Sequence, residues 1–299
     1  MIPDPHPDLL TLLKSNAPDP RKPIPLVRQN FSAFIGEMRG EEYEPPAVES
    51  VEISTDLSGF WIGGPEVSTD QIILFFHGGC FSIGSTQDYL EFCSRIAKAA
   101  HTRVFSVDYR LAPEHVFPAA VEDAVTAYTY LLSRGWQAHR ILPVGLSSGA
   151  TLVLDLLLSL RDRGMPLPPA GVCMSPFVDM RFEGESVTKN IDNDWLTPAI
   201  LGAIRGGYLA GHDPTDPLVS PIYARLRGLP RLYIQAGTHE LLLSDIASFV
   251  DKARWAGVPV QFEIWEGMFH CWQAFPVQLP EGQRAINHAG TFIRDAVTR

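Results

Sequence analysis

Arg140-Ile141-Leu142-Pro143-Val144-Gly145-Leu146-Ser147-Ser148-Gly149-Ala150 is the stretch that decides the fold. An apolar strand-like run leads into Gly145, and a long helix-forming run, Ala150 to Arg161, leaves Gly149. Strand, sharp turn and helix follow one another with no room for a loop. A serine at the tip of such a turn is pushed into strained backbone space, and glycines two residues to either side let strand and helix approach closely. Ser147 is therefore the candidate nucleophile. A Gly-x-Ser-x-Gly match recurs by accident and draws its meaning from this context. The competing reading is a serine that caps a buried helix.

Outward from this turn, short β-rich runs recur at 71–77, 103–108, 140–146, 170–175, 231–236 and 258–265. Helical patterns lie between most of them, at 89–100, 119–133, 150–161 and 244–255. That alternation predicts a parallel sheet covered by helices on both faces. Two earlier runs, Val51–Ile53 and Gly59–Ile62, are close enough to form an antiparallel pair at one edge. Two segments break the pattern. Between Pro7 and Arg39, apolar residues from Leu9 to Leu13 and from Leu26 to Ile35 predict two amphipathic helices. Between Arg181 and His212, a helix over Thr197–Leu209 is expected, with Thr197 as N-cap and Pro198 in the first turn. Both segments are candidates for a helical cap over the active edge of the sheet; surface decoration is the alternative.

With 299 residues, 45% of them hydrophobic and 19% charged, the chain can bury one large core. The formal net charge is −10 and Lys/Arg residues form no cluster, which excludes a basic face for nucleic acid or an anionic membrane. A small neutral or cationic molecule suits this balance better. The start of the chain, Met1 to Asp8, has neither a basic nor an apolar segment, and no run approaches the roughly 18 apolar residues a bilayer span requires. The expectation is a soluble, cytoplasmic protein. Cys80, Cys93, Cys173 and Cys271 lie far apart and show no metal-ligand spacing, so no metal site is expected. The last helical run, 284–297, covers a sheet edge or meets that of a partner, which leaves a homodimer open.

Ligands of open parallel sheets bind beyond the carboxyl ends of the strands, so reactive residues should gather there. The run from Gln71 ends in His77-Gly78-Gly79-Cys80-Phe81, where two glycines free backbone N–H groups to point into open space. With the N–H of Ser148, these donors can surround an oxyanion. His77 reads as a brace for the loop. A serine hydroxyl needs a base within hydrogen-bond reach and a third group to orient that base. His270 follows the last parallel run on a glycine-containing loop and is the best base; His115, His212 and His239 are weaker. The acid should follow the preceding strand. Glu240 stands nearer its end than Asp245, which is placed to serve the first turn of a helix, while Glu266 reads as a solvated charge. The order serine, acid, histidine is that of the α/β-hydrolases.

Together, His77-Gly-Gly-Cys-Phe81, Asp108-Tyr-Arg-Leu-Ala-Pro-Glu-His115, Gly145-Leu-Ser-Ser-Gly149, Asp216-Pro-Leu-Val-Ser-Pro221 and Phe269-His270 resemble the hormone-sensitive-lipase-like family of bacterial carboxylesterases. The resemblance runs from about residue 50 to the end. It implies an α/β-hydrolase fold: a mostly parallel, eight-stranded sheet with helices on both faces and a small helical cap. On that reading residues 1–45 are cap helices, 46–180 and 213–299 the catalytic domain, and 181–212 the cap insertion. It further implies cofactor-free hydrolysis of short- to medium-chain carboxylic esters. Ser147, Glu240 and His270 would be catalytic, and Gly78, Gly79 and Ser148 would form the oxyanion hole.

This chain departs from the family in two places. Cys80 stands where a third glycine is usual, and Leu146 and Ser148 flank the serine where the usual motif reads Gly-Asp-Ser-Ala-Gly or Gly-Thr-Ser-Ala-Gly. The chemistry is expected to persist and the specificity to shift. Asp108 to Glu114 reads as a turn and ion-pair platform. Phe31, Phe34, Phe81, Trp195, Tyr208, Met268 and Trp272 are candidates for an apolar substrate pocket, against the plainer reading as core. Lactones, aryl esters and phthalate-type diesters are alternative substrates, and a non-catalytic binding protein on the same fold is the competing class. Because His270 must be neutral to act, activity is expected to fall as pH drops through roughly 6–7.

Overall fold

The computed structural model describes residues 7–40, 43–63 and 68–297. The reading of the leader at Met1–His6 lies outside the described residues. Eight strands form one sheet: β1 (Val48–Ser54), β2 (Leu57–Ile62), β3 (Ser68–Phe76), β4 (Thr102–Asp108), β5 (Ile141–Leu146), β6 (Ala170–Met174), β7 (Arg231–Gly237) and β8 (Val260–Trp265). Their spatial order is β1-β2-β4-β3-β5-β6-β7-β8. From β4 to β8 all neighbours are parallel, while β1 and β2 form the expected antiparallel pair at one edge, with β2 antiparallel to β4.

Helices α1 (Pro7–Asn16) and α2 (Ile24–Glu37) precede the sheet. Between strands run α3 (Leu90–Ala100), α4 (Ala119–Ser133), α5 (Ser148–Asp162), α6 (Glu185–Lys189), α7 (Pro198–Leu209) and α8 (Leu243–Trp255), and α9 (Pro280–Val297) closes the chain. The uninterrupted apolar run of β3 has the composition of a strand covered on both faces. Its side chains alternate: Ile72, Leu74 and Phe76 join the cluster beneath α4, α5 and α8, while Ile73 and Phe75 join the cluster beneath α3 and α9. The run at 284–297 thus packs over a face of the sheet beside α3, with Gly290 against Ala99. Thr197 caps α7 as expected, its hydroxyl accepting the Ile200 N–H at 3.2 Å.

This topology places the residue after each parallel strand along one rim. His77 follows β3, Ser147 follows β5, Ser175 follows β6, Glu240 lies in the turn after β7, and His270 in the loop after β8.

Candidate active site

Helix α5 starts at Ser148, two residues earlier than the sequence pattern places it, because Ser147 itself turns the chain with φ 53° and ψ −123°. Such a backbone is costly for a residue with a side chain and persists only where its surroundings fix it. Here they do. The N–H of Ser147 donates to the Met174 carbonyl at 2.9 Å, and its own carbonyl accepts from Ala150 and Thr151 at 2.9 and 3.1 Å. A Cβ on Gly149 would lie 2.0 Å from the Phe76 carbonyl oxygen, and one on Gly145 would lie 2.2 Å from that of Gly149. Only hydrogen fits at either position.

Glu240 and His270, the candidate acid and base, come from the loops after β7 and β8, along the same rim as Ser147. His270 Nε2 lies 2.8 Å from Ser147 Oγ, and His270 Nδ1 lies 3.0 Å from Glu240 Oε2. The other carboxyl oxygen, Oε1, accepts the Gly237 N–H at 2.7 Å and the Ser175 hydroxyl at 2.8 Å. Two donors on Oε1 favour the carboxylate, which assigns the bridging proton to Nδ1 and leaves Nε2 free to accept from serine. Glu240 and His270 are wholly buried. Burial pushes the carboxyl above its ordinary range, opposed by those two donors, and pushes the imidazole below its ordinary value. A resting, neutral imidazole follows.

Asp245 does not approach the imidazole. It sits in the first turn of α8, facing Gly184. Glu266, His115 and His212 are exposed, and His212 pairs with Asp216 at 2.8 Å. His77 braces its loop as read from sequence: Nδ1–H donates to the Gly78 carbonyl at 2.8 Å, and the ring stacks on Tyr109 with centroids 4.3 Å apart. The stretch from Asp108 to Glu114 is an ion-pair platform. Arg110 binds Asp123, and Glu114 binds Arg28 of α2.

Gly78 and Gly79 border the serine. A Cβ on Gly78 would come within 3.4 Å of the Ser147 Cβ, and Gly79, with φ +126°, adopts a backbone that glycine alone takes freely. Cys80 follows in the left-handed region with φ 59°. A cavity of about 200 Å³ opens beside Gly79 and Cys80, walled by Ile83 and, from the inserted and N-terminal helices, by Val27, Ile200 and Ile204. Phe34, Phe81, Trp195, Tyr208, Met268 and Trp272 are not among the residues that wall this cavity, and Phe31 lies with Phe34 along a separate one of about 270 Å³. Phe81 and Tyr208 stack on each other, centroids 3.9 Å apart, in the main core. Phe34, Met268 and Trp272 pack with Leu10 and Leu13 beneath the base loop, and Trp195 donates Nε1–H to the His270 carbonyl at 2.8 Å. A polar groove of about 700 Å³ between Tyr43, Arg95 and Asn287 contains none of the residues at the rim.

Two residues that sequence reasoning missed belong to this site. Ser175, with φ 54°, follows β6 and binds Glu240; its place just past a strand end was the signal available. Asp194, between α6 and α7, accepts the backbone N–H groups of Leu241 and His270, and no local pattern marks it.

Residues 73–274 match the family model described as α/β hydrolase fold. A crystal structure of an esterase from the bacterial hormone-sensitive lipase family superposes with a TM-score of 0.92 at 40% identity, covering 99% of this chain and 100% of that one. The chain belongs to the hormone-sensitive-lipase-like family of carboxylic ester hydrolases. An acetyl-hydrolase of Streptomyces hygroscopicus is 44% identical to the esterase over 233 residues, 78% of each chain. An esterase of Acinetobacter venetianus RAG-1 is 34% identical over 229 residues, 76% of each. Among the described residues of the esterase, no helix is long and apolar enough to cross a membrane.

Proposed function

We propose that Ser147, His270 and Glu240 carry the ester hydrolysis, and that its substrates are esters of short acyl chains. The observation that supports this is the unbroken line from Glu240 Oε2 through both nitrogens of His270 to Ser147 Oγ, at 3.0 and 2.8 Å. His270 removes the serine proton as Oγ attacks the ester carbonyl, and the imidazolium then gives that proton to the departing alkoxide. Water repeats the sequence on the acyl-enzyme. The negative oxygen formed at each attack meets the N–H groups of Gly78, Gly79 and Ser148, with the N-terminus of α5 behind the last of these. Glu240 holds the imidazole in one tautomer and stabilises its charged form. A binding protein on this fold has no need of the base, and His270 is in place.

The acyl chain occupies the cavity beside Gly79 and Cys80. Its volume, about 200 Å³, lies below the roughly 300–1,000 Å³ of sites for larger ligands, and the likeness to an acetyl-hydrolase points the same way. In this reading residues 1–45 and 181–212 form the cap and 46–180 with 213–299 the catalytic domain, since α2 and α7 wall the cavity opposite the glycine loop. Four buried, unpaired thiols suit a reducing compartment, in keeping with the cytoplasm. The test is p-nitrophenyl ester turnover by the wild type and Ser147→Ala. The variant should lose roughly four to six orders of magnitude in kcat and should no longer be labelled by a fluorophosphonate. Full labelling of the variant would move the nucleophile elsewhere.

A further inference from the structure

Asp194 takes part in none of the acyl-transfer steps, yet it touches both ends of the acid–base pair. It is wholly buried in the loop between α6 and α7. Oδ1 accepts the N–H groups of Trp195 and His270 at 2.8 and 3.1 Å, and Oδ2 accepts that of Leu241, the neighbour of Glu240, at 2.9 Å. Trp195 then donates Nε1–H to the His270 carbonyl at 2.8 Å. Both backbone polar groups of the base therefore end on two adjacent residues of the inserted segment. Four residues earlier, Asn190 binds the carbonyls of Thr238 and Glu240 at 3.0 and 2.8 Å. Accepting N–H groups on both oxygens is something a carboxylate does and a neutral amide cannot, and it comes with the desolvation cost of a buried charge.

We propose that Asp194 is a positioning residue for ester hydrolysis, fixing the His270 and Glu240 loops on one frame and supplying a negative charge that favours the imidazolium formed at each proton transfer. The proposal rests on the reading of Ser147, His270 and Glu240 as the reacting set. The titratable groups around Asp194 are Glu240 from the turn after β7, and His270 with Cys271 from the loop after β8; its own loop presents backbone N–H groups. Burial raises the Asp194 carboxyl to about 6, against the pull of His270 and the N–H groups of Leu241 and His270. It is thus charged at neutral pH and takes up a proton as the solution becomes mildly acidic.

The experiment compares purified wild type, Asp194→Asn and Trp195→Phe on p-nitrophenyl butyrate across neutral and mildly acidic pH, with melting temperature as the check on folding. In Asp194→Asn the amide nitrogen faces the Leu241 N–H or the His270 N–H, so one tether is lost along with the charge. Above neutrality its kcat should fall about 10- to 100-fold with KM little changed. The gap should narrow below pH 6, where the wild-type carboxyl becomes neutral as well. Trp195→Phe keeps the charge and loses one tether, so its deficit should be smaller and the same at every pH. A folded Asp194→Asn with wild-type kcat, or with a deficit that does not change with pH, overturns the proposal. If Asp194→Asn does not fold, a Trp195→Phe enzyme with unchanged kcat overturns it. A wild type that is neither labelled at Ser147 nor active would instead overturn the reading beneath it.

Discussion

Replacing Cys80 by glycine separates two effects that the structure assigns to one side chain. The thiol group lines the cavity beside the glycine loop and is 7% exposed. Removing CH₂–SH frees space comparable to two methylene groups, and each buried methylene is worth about 0.8 kcal/mol. An acyl chain two carbons longer than the wild-type optimum should therefore gain about 1.6 kcal/mol, or about 15-fold in relative kcat/KM. The backbone responds in the opposite sense to the packing. Cys80 holds φ 59°, and a non-glycine residue in this region gives up roughly 1–2 kcal/mol, which offsets the loss of a small core side chain. The melting temperature should consequently move little. The assay is kcat/KM for p-nitrophenyl esters from acetate to octanoate, on both proteins. An unchanged acyl-length profile in a folded Cys80→Gly enzyme would refute the placement of the acyl chain in this cavity.

Ser175→Ala removes a buried hydroxyl that donates to Glu240 at 2.8 Å and receives the Cys271 N–H at 3.3 Å. Hydrogen bonds to charged groups contribute about 1.5–3 kcal/mol, so kcat/KM should drop about 10- to 150-fold; a loss under threefold would show that Gly237 alone holds the acid. The pH profile follows from the burial of His270. The base acts when neutral, and a lowered pKa keeps it neutral to lower pH, so the acid limb of kcat/KM should lie below the ordinary histidine value of 6.5. This revises the limb at 6–7 expected from an unperturbed imidazole. A limb centred above 7 would mean that the carboxylates facing the ring outweigh its burial.

The fold around the candidate site was legible because it follows chain order. The strand, turn and helix around Ser147 are contiguous, and Glu240 and His270 each lie just past a strand, where topology forces reactive groups together. The antiparallel edge pair was equally readable from two short runs close in sequence. Asp194 was not legible and Ser175 showed only its place past a strand end, since the value of both comes from contacts with residues 47 to 96 positions away. The stacking of Phe81 on Tyr208 was not legible either. Phe81 and Tyr208 are far apart in sequence, and nothing local reveals that the two rings stack on each other rather than line the cavity.

The tight turn at the nucleophile sorts its five positions by what each can become under mutation. Residues 145 and 149 are locked, because the neighbouring carbonyl oxygens leave no room for a carbon atom. Leu146 points into the apolar layer under α3 and α9, and the Ser148 hydroxyl lies 3.5 Å from that of Tyr109, while the oxyanion role proposed for Ser148 belongs to its main chain. Leu146 and Ser148 are wholly buried as well, so substitutions there are confined to side chains that fit the space the present ones fill. Directed evolution of this enzyme has more freedom at exposed cavity-wall positions such as Ala203 than at the turn itself.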